Sequence, residues 1–191
     1  MNRIVFATNN KNKLREVREM LVPLGFDIIS QSEAGCDISP EENGTTFEEN
    51  SAIKARAVYD VLKIPVIADD SGICVDALND APGVHSARYA PNGCECDKLL
   101  AEMAEVADEN RGAKFVCVIS FIDETGALTA LRGECHGKIG YEKRGINGFG
   151  YDPVFMREGK SFAELSTDQK NEISHRAEAL KQLYKLIKER Y

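Results

Sequence analysis

The stretch Ile64–Asp76, which reads I-P-V-I-A-D-D-S-G-I-C-V-D, constrains the fold more than any other part of the chain. Its apolar run Val66–Ala68 follows a proline and predicts a short buried strand. Asp69 and Asp70 come directly after that run. Open α/β sheets bind ligands outside the carboxyl ends of their strands, so both acids are predicted at such an edge. Because consecutive strand residues point to opposite faces, one acid can hold a turn while the other faces a cleft.

Asp-Asp-Ser-Gly is also an ordinary turn sequence, in which Gly72 lets the backbone turn without a Cβ clash. The stretch by itself therefore leaves two interpretations open, a turn and a metal site. The rest of the chain has to decide between them.

Composition bounds the class of protein. A chain of 191 residues with 43% hydrophobic and 29% charged residues suits one sizeable domain or two lobes that share a core. No run is apolar enough to span a bilayer and no signal peptide is evident, which predicts a soluble cytoplasmic protein. Six cysteines without C-x-x-C spacing favour reduced thiols. A net charge of -7 argues against a general nucleic-acid binder.

A polar loop joins the first predicted strand, Arg3–Ala7, to the first predicted helix, which Pro23 and Gly25 close. The loop reads T-N-N-K-N-K over residues 8–13. The helix N-terminus favours an anion, and Lys11 and Lys13 add positive charge. It is not a Walker loop, because it lacks the glycines. The alternative is a solvated loop in which asparagine caps the helix.

The next segment brings loop acids to the start of a second helix. Glu41 and Glu42 precede Thr46, which forms a capping box with Glu49. The helix that follows carries Lys54 and leads into the acidic strand. These acids can serve a metal, or they can stabilise the helix N-terminus and nothing more.

The second half of the chain predicts a helix over Asp97–Ala107 and a hairpin of strands Lys114–Phe121 and Leu128–Ile139, hence an antiparallel second lobe. A Gly-rich loop over 145–153 carries two aromatic residues, which a plain linker would not need. A capping box of Ser166 and Gln169 then opens one last amphipathic helix, with Lys170, His175 and Arg176 in its first turns.

The carboxylates, the cations and the aromatic ring together indicate one kind of ligand. Carboxylates suit Mg²⁺, which usually keeps several waters and takes substrate phosphates as ligands. Lysines and a helix N-terminus suit a polyphosphate. The ring of Phe149 suits stacking on a base, and His175 and Arg176 can donate hydrogen bonds to a base carbonyl. The combination indicates a nucleoside triphosphate with Mg²⁺.

At this point the sequence resembles the inosine/xanthosine triphosphate pyrophosphatases, which remove deaminated purine nucleotides. The resemblance runs nearly end to end. It rests on residues 8–13, Thr46–Asn50 with Lys54–Arg56, Ala68–Gly72, Pro82–Gly83 with Ser86–Tyr89, Gly148–Pro153 and Ser174–Arg176. The first loop of the family usually reads Thr-Gly-Asn, and Asn9 replaces that glycine here. Asparagine tolerates left-handed backbone angles better than most residues, so the loop is expected to survive.

The resemblance implies one domain over 1–191 with an α/β fold, a two-lobed mixed sheet flanked by helices, and a nucleotide cleft between the lobes. It implies a homodimer that converts ITP, dITP or XTP to the monophosphate and pyrophosphate with Mg²⁺. Asp70 is the implied general base and metal ligand, with Glu41 as second carboxylate and Glu42 as a close rival. The implied substrate-binding residues are Thr8, Asn9, Asn10, Lys11, Asn12, Lys13, Lys54, Ser71, Phe149, Gly150, Tyr151, Asp152, Lys170, His175 and Arg176.

Other functions remain open on the sequence alone. One is a pyrophosphatase of a different modified nucleotide, which a substrate panel distinguishes. A second is a catalytically silent nucleotide-binding module, against which the Asp69-Asp70 pair argues because binding needs no poised base. A third is a structural dimerisation protein, which predicts no rise in melting temperature with nucleotide.

Overall fold

The computed structural model describes residues 2–91 and 93–190, and its strands form one mixed sheet. In this part of the chain the sheet has seven strands in the order β2-β1-β3-β4-β5-β6-β7. The strands are β1 (Asn2–Phe6), β2 (Phe26–Ser30), β3 (Val66–Val75), β4 (Gly112–Ile122), β5 (Leu128–Ile139), β6 (Phe155–Arg157) and β7 (Lys160–Ser161). The α-helices are α1 (Lys11–Leu21), α2 (Phe47–Leu62), α3 (Glu95–Glu102), α4 (Thr167–Ile173) and α5 (His175–Arg190). The predicted α/β class and mixed sheet are confirmed.

The chain divides into two compact units. The first unit comprises Met1–Asp70, Cys117–Gly133 and Arg176–Tyr191, and the second comprises Ser71–Val116 and Glu134–His175. Two of the boundaries fall inside predicted site motifs, directly after Asp70 and directly after His175. That the whole of 1–191 acts as one domain stays a prediction.

The first unit contains the parallel part of the sheet. β1 pairs in parallel with β2 and with β3, and the pairing of β1 with β3 runs through Val5–Val66 and Phe6–Ile67. Its core packs α1 and α5 against the sheet through Phe6, Leu21, Phe121 and Leu183, among others. A second cluster packs α2 against the sheet. Burial of these side chains is the main stabilising contribution to this unit.

The second unit contains antiparallel pairing, in which β6 pairs with β5 and with β7. Three rings, Phe115, Phe155 and Phe162, meet at centroid distances of 4.5–5.7 Å. One of these contacts is tilted, one is stacked and one is edge-on, and ring contacts of this kind add to the energy of simple burial. Antiparallel pairing is thus present in the second unit, from β5 to β6 and from β6 to β7. The predicted hairpin is not the basis of a second lobe, because its central part, Cys117–Gly133, belongs to the first unit.

Two local predictions from capping residues are confirmed. Thr46 and Glu49 form the complete capping box at the start of α2, and Ser166 and Gln169 form one at the start of α4. Each pair satisfies backbone N–H groups that a helix N-terminus leaves without an intrahelical partner. Capping depends on residues within one turn, which is why a local sequence pattern predicts it well.

The prediction that the strand ends at its two acids is wrong, and the turn, one of the two interpretations left open, does not form there. β3 continues through both acids to Val75 and stays largely buried. The acids nevertheless lie just beyond the end of the neighbouring strand, because β1 stops opposite Ile67. Ile73–Val75 was the sequence signal for continuation, since an apolar run resumes there. The strand can carry two carboxylates through a buried position because cations of the same unit neutralise them, as described below.

The predicted last helix is also wrong in one respect, because it is two helices. Ser174 has extended backbone angles, with φ -74° and ψ 156°, and separates α4 from α5. Serine is a favoured residue at a helix start, so Ser174 is the residue in the sequence that indicates a second helix. The break places Lys170 on one helix and Arg176 at the start of the next. α3 is also shorter than predicted, ending at Glu102.

Candidate active site

Two adjacent buried carboxylates of the first unit have different partners. Asp69 and Asp70 are 2% and 7% exposed, so neither charge is solvated. Asp69 accepts hydrogen bonds from Lys13 Nζ at 3.1 Å and from Arg176 Nη2 at 2.8 Å. Asp70 Oδ1 accepts one from Lys54 Nζ at 3.2 Å. The alternation of side chains along β3 thus sends the two acids to different cations.

Asp69 is held as an anion. Burial alone would raise the pKa of its carboxyl, but the positive charges of Lys13 and Arg176 outweigh it and hold that pKa well below its usual range. Arg176 is itself 2% exposed and also donates from Nη1 to the buried carboxylate of Glu16. Lys13, Asp69, Arg176 and Glu16 form a buried ionic network, in which each charge lies beside an opposite charge. Such a network holds its side chains in place.

The pKa of the Asp70 carboxyl is shifted in the opposite direction from that of Asp69. Burial is the largest influence on it and raises the pKa of its carboxyl, although the charge of Lys54 opposes that shift. Its Oδ2 atom is buried and accepts no hydrogen bond from the described residues. A pair of titratable groups with pKa values pushed apart is the usual arrangement for acid–base chemistry. Asp70, with an available acceptor atom and a raised pKa, is the candidate of the two for accepting a proton.

Lys54 connects Asp70 to a third carboxylate. Its Nζ atom donates to Glu42 Oε2 at 2.7 Å as well as to Asp70. Glu41, the residue that the resemblance favoured, is exposed. The geometry therefore favours Glu42 over Glu41 as the partner of Asp70, while the choice of metal ligand stays a prediction.

The chemistry of these oxygens fits a divalent metal ion. Residues 2–91 and 93–190 contain no group of three or more His, Cys, Asp or Glu side chains arranged to hold a metal. Mg²⁺ does not need one, because it commonly uses one or two carboxylates and completes its shell with water and phosphate. The available Oδ2 of Asp70 and the cation already held between Asp70 and Glu42 both indicate that this place attracts positive charge.

The loop after β1 is built by its own side chains. Asn10 is the N-cap of α1, and its Oδ1 accepts hydrogen bonds from the backbone of Asn12 and Lys13. Thr8 Oγ1 accepts one from the backbone of Asn10. Asn9 is exposed and is not among the described residues with positive φ, so this loop does not need glycine there.

The two loop lysines point to different surroundings. Lys13 reaches the acid pair, whereas Lys11 is exposed and lines a cavity of about 540 Å³ beside Arg15 and Arg18. Residues two apart on a helix do not share a face, which is the reason. Of the two, the structure brings Lys13 to the acids and leaves Lys11 outside that cluster.

The second unit assembles the Gly-rich loop around a buried ion pair. Lys170, which is 6% exposed, donates from Nζ to Asp152 Oδ2 at 2.6 Å, and the same oxygen accepts from the backbone of Phe149 at 2.9 Å. The ammonium also lies 4.8 Å from the centre of the Phe149 ring. Gly148 has a φ of +74°, and a Cβ there would lie 2.0 Å from Asp152. Glycine is required at that position both by backbone angle and by space.

Tyr151 holds the same loop from its other end. Its ring is buried and its hydroxyl donates to the backbone oxygen of Ser86 at 2.8 Å. Ser86 Oγ in turn accepts a hydrogen bond from the backbone of Ile73 in β3 at 2.9 Å. The backbone oxygen of Gly150 accepts from Cys96 Sγ at 3.3 Å. The aromatic loop is therefore fixed to the stretch of β3 that follows the acid pair.

The remaining predicted residues, Ser71, His175 and Arg176, stand in the sequence next to points where the chain passes from one unit to the other. Ser71 follows Asp70 in β3 and is half-buried. His175 is buried and stacks on Phe115, with ring centroids 4.7 Å apart. The guanidinium of Arg176 donates hydrogen bonds to the carboxylates of Asp69 and Glu16. Sequence reasoning gave no role to Glu16 or Ser86; Ser86 stood in a recognised motif, whereas nothing in the sequence marked Glu16.

The fold and the site together define the class: an α/β protein in which buried carboxylates lie among buried cations. A family model described as the Ham1 family matches residues 4–186. The chain belongs to the Ham1 family, and the family recognised from the sequence motifs is confirmed.

Relatives and solved structures agree with this placement. The chain is 48% identical to a dITP/XTP pyrophosphatase of Haemophilus influenzae, with 93% of this chain and 95% of that protein covered. It is 50% identical to one of Haemophilus ducreyi, with coverage of 98% and 100%. Among solved structures, a HAM1 protein from Coxiella burnetii is similar with a TM-score of 0.89 and 42% identity, covering 99% of this chain and all of that one. No helix within residues 2–91 or 93–190 combines the length and apolar character needed to cross a membrane.

Proposed function

We propose that this protein hydrolyses deaminated purine nucleoside triphosphates, namely ITP, dITP and XTP, to the monophosphate and pyrophosphate. The observation that carries the proposal is the buried acid pair, in which Asp69 is held as an anion while Asp70 keeps an available acceptor oxygen. Full-length similarity to proteins named dITP/XTP pyrophosphatases supports the choice of substrate. The protein is further proposed to be a cytoplasmic homodimer.

Asp70 is the proposed general base. A water molecule attacks the α-phosphorus, its proton passes to Asp70, and the bond to the bridging oxygen breaks so that pyrophosphate leaves. Lys13 and Lys54 would stabilise the negative charge that develops on the phosphates. Asp69 and Arg176 keep their charges throughout and hold Lys13 in place.

Mg²⁺ is the proposed cofactor, with Asp70 and Glu41 as the carboxylates that would hold it and Glu42, which Lys54 links to Asp70, as the alternative to Glu41. When bound, the ion would neutralise phosphate charge and lower the pKa of a bound water. Thr8, Asn9, Asn10, Lys11, Asn12 and Ser71 are proposed to bind the phosphates or the sugar.

Base recognition is assigned to the Gly-rich loop. Phe149 would stack on the purine, while Asp152 and Lys170 hold the loop in shape. His175 and Arg176 remain the proposed donors to the carbonyl at base position 6, which inosine and xanthosine have and adenine lacks. A site that depends on such a hydrogen bond can reject the mismatched base by about 10⁴–10⁵-fold.

A side-by-side assay tests the function directly. We expect Mg²⁺-dependent release of pyrophosphate from ITP and XTP at rates far above those from ATP and GTP. Release of orthophosphate and a nucleoside diphosphate would contradict attack at the α-phosphorus. Binding of ITP without hydrolysis would favour the silent binding module, and hydrolysis confined to another modified nucleotide would favour the other enzyme.

Tyr151→Phe tests how the aromatic loop is positioned. The change removes only the hydroxyl that donates to Ser86, so the ring stays packed. We expect the KM for ITP to rise by about 2–10-fold, the effect of one hydrogen bond, with kcat little changed. Steady-state kinetics measure both, and Tyr184→Phe in α5 is the matched control. An unchanged KM would show that this bond does not position the loop.

A further inference from the structure

Lys54 in α2 occupies a position between two carboxylates. Its Nζ atom lies 2.7 Å from Glu42 Oε2 and 3.2 Å from Asp70 Oδ1. Its side chain is only 16% exposed, so the ammonium is mostly withdrawn from water. A single positive charge therefore serves two acids that come from different parts of the first unit, a loop before α2 and strand β3.

An ammonium at this place has a clear electrostatic role. Glu42 and Asp70 would repel each other if nothing lay between them, and the cost would be large because Asp70 is buried. The Lys54 ammonium removes that cost. A divalent metal ion that binds the oxygens contacted by Lys54, Glu42 Oε2 and Asp70 Oδ1, must therefore displace the ammonium or share its acceptors. The two cations compete for the same negative charge.

The chemistry of a lysine side chain allows the Lys54 ammonium to move away from Glu42 and Asp70. A lysine ammonium is a compact charge on a flexible stem of four carbons, and its three donors can turn to new acceptors. Phosphate oxygens of a nucleotide would be such acceptors. The acids would then be free for the metal, and the ammonium would not be left in a buried place without an anion.

We propose that Lys54 acts as an internal cation that holds Glu42 and Asp70 in the nucleotide-free protein and moves to the phosphates when the metal–nucleotide complex binds. The proposal rests on the proposed function, because it uses the same metal and the same phosphates. It predicts that the free protein binds a divalent metal weakly. It also predicts that metal and nucleotide strengthen each other's binding by the same factor, as thermodynamic linkage requires.

The test measures metal binding without any nucleotide. Mn²⁺ is titrated into the full chain and the free ion is followed by electron paramagnetic resonance, for the unaltered protein, Lys54→Gln and Lys13→Gln. Lys54→Gln is expected to lower the Kd for Mn²⁺ by about tenfold or more, because the competing cation is gone. Lys13→Gln removes an equal charge nearby but contacts Asp69, and is expected to lower the Kd by at most about threefold.

Two results would overturn the proposal: an unchanged Kd in Lys54→Gln, or an equal decrease in both variants, which would show a general charge effect only. Circular dichroism and thermal melting confirm that each variant is folded. If Lys54→Gln does not fold, Lys54→Arg takes its place. That variant keeps the charge and is expected to keep metal binding weak, so tighter Mn²⁺ binding by it would overturn the proposal.

A second Mn²⁺ titration, with nucleotide present, distinguishes a failure of this proposal from a failure of the proposed function. Adding a non-hydrolysable inosine triphosphate analogue is expected to tighten Mn²⁺ binding in the unaltered protein much more than in Lys54→Gln. If the unaltered protein releases pyrophosphate from ITP but the analogue tightens Mn²⁺ binding equally in both proteins, the role of Lys54 is wrong and the function stands. If no pyrophosphate is released from any purine triphosphate, the proposed function itself fails.

Discussion

Replacing Asp70 by asparagine is expected to lower the turnover of ITP by about 10²–10⁴-fold, the usual contribution of a general base. Asparagine has nearly the same shape but cannot accept the proton of the attacking water. The fold should persist, because Asp70 is a buried carboxyl with a raised pKa and a neutral amide relieves its desolvation. Pyrophosphate release at saturating ITP and Mg²⁺ measures the effect.

The matched control is Asp60→Asn, the same chemical change at an exposed position of α2. It should leave turnover unchanged. A second check is the pH profile: because burial raises the pKa of Asp70, the acid limb of kcat/KM should lie above the ordinary carboxyl value of 3.8. Near-normal turnover in Asp70→Asn would remove this residue from the mechanism.

The neighbouring substitution, Asp69→Asn, is expected to act on stability. It leaves Lys13 and Arg176 without the buried anion between them, and breaking a buried ionic network in this way costs about 3–5 kcal/mol. Urea unfolding at neutral pH gives the free energy of unfolding. Asp70→Asn, one residue away, is the natural comparison and should lose far less. A loss below about 1 kcal/mol in Asp69→Asn, the size of an ordinary surface pair, would contradict the network.

The effect of Asp69 should depend on pH in a definite direction. Its pKa is lower in the folded protein than its ordinary value of 3.8, so the stability it contributes is present above that value. As the pH falls below 3.8 and through the folded pKa, that stability is lost. The difference in unfolding free energy between the unaltered protein and Asp69→Asn should therefore shrink on acidification. A difference that grew instead would mean that the folded-state pKa of Asp69 is raised.

Local sequence patterns predicted a large part of the fold. The capping boxes at Thr46 and Ser166 fixed two helix starts, and the strand Leu128–Ile139 has the predicted bounds. These features depend on residues within a few positions of each other. The errors arose where distant residues decided the backbone. β3 passes through its acids because Lys13 and Arg176, far away in sequence, neutralise the charge that would otherwise favour a solvated turn.

What the sequence determined by itself is the family, the α/β class and the kinds of group at the site, since motif spacing and residue type carry that information. Only the tertiary structure decided which charged side chains lie next to one another. Asp69 and Asp70 are chemically identical neighbours, and so are Glu41 and Glu42. Burial and the position of a few cations alone hold Asp69 as an anion and leave Asp70 with one oxygen atom that accepts no hydrogen bond from the described residues. Electrostatic energy depends on distance in space and on exclusion of water, and neither can be read from the order of residues.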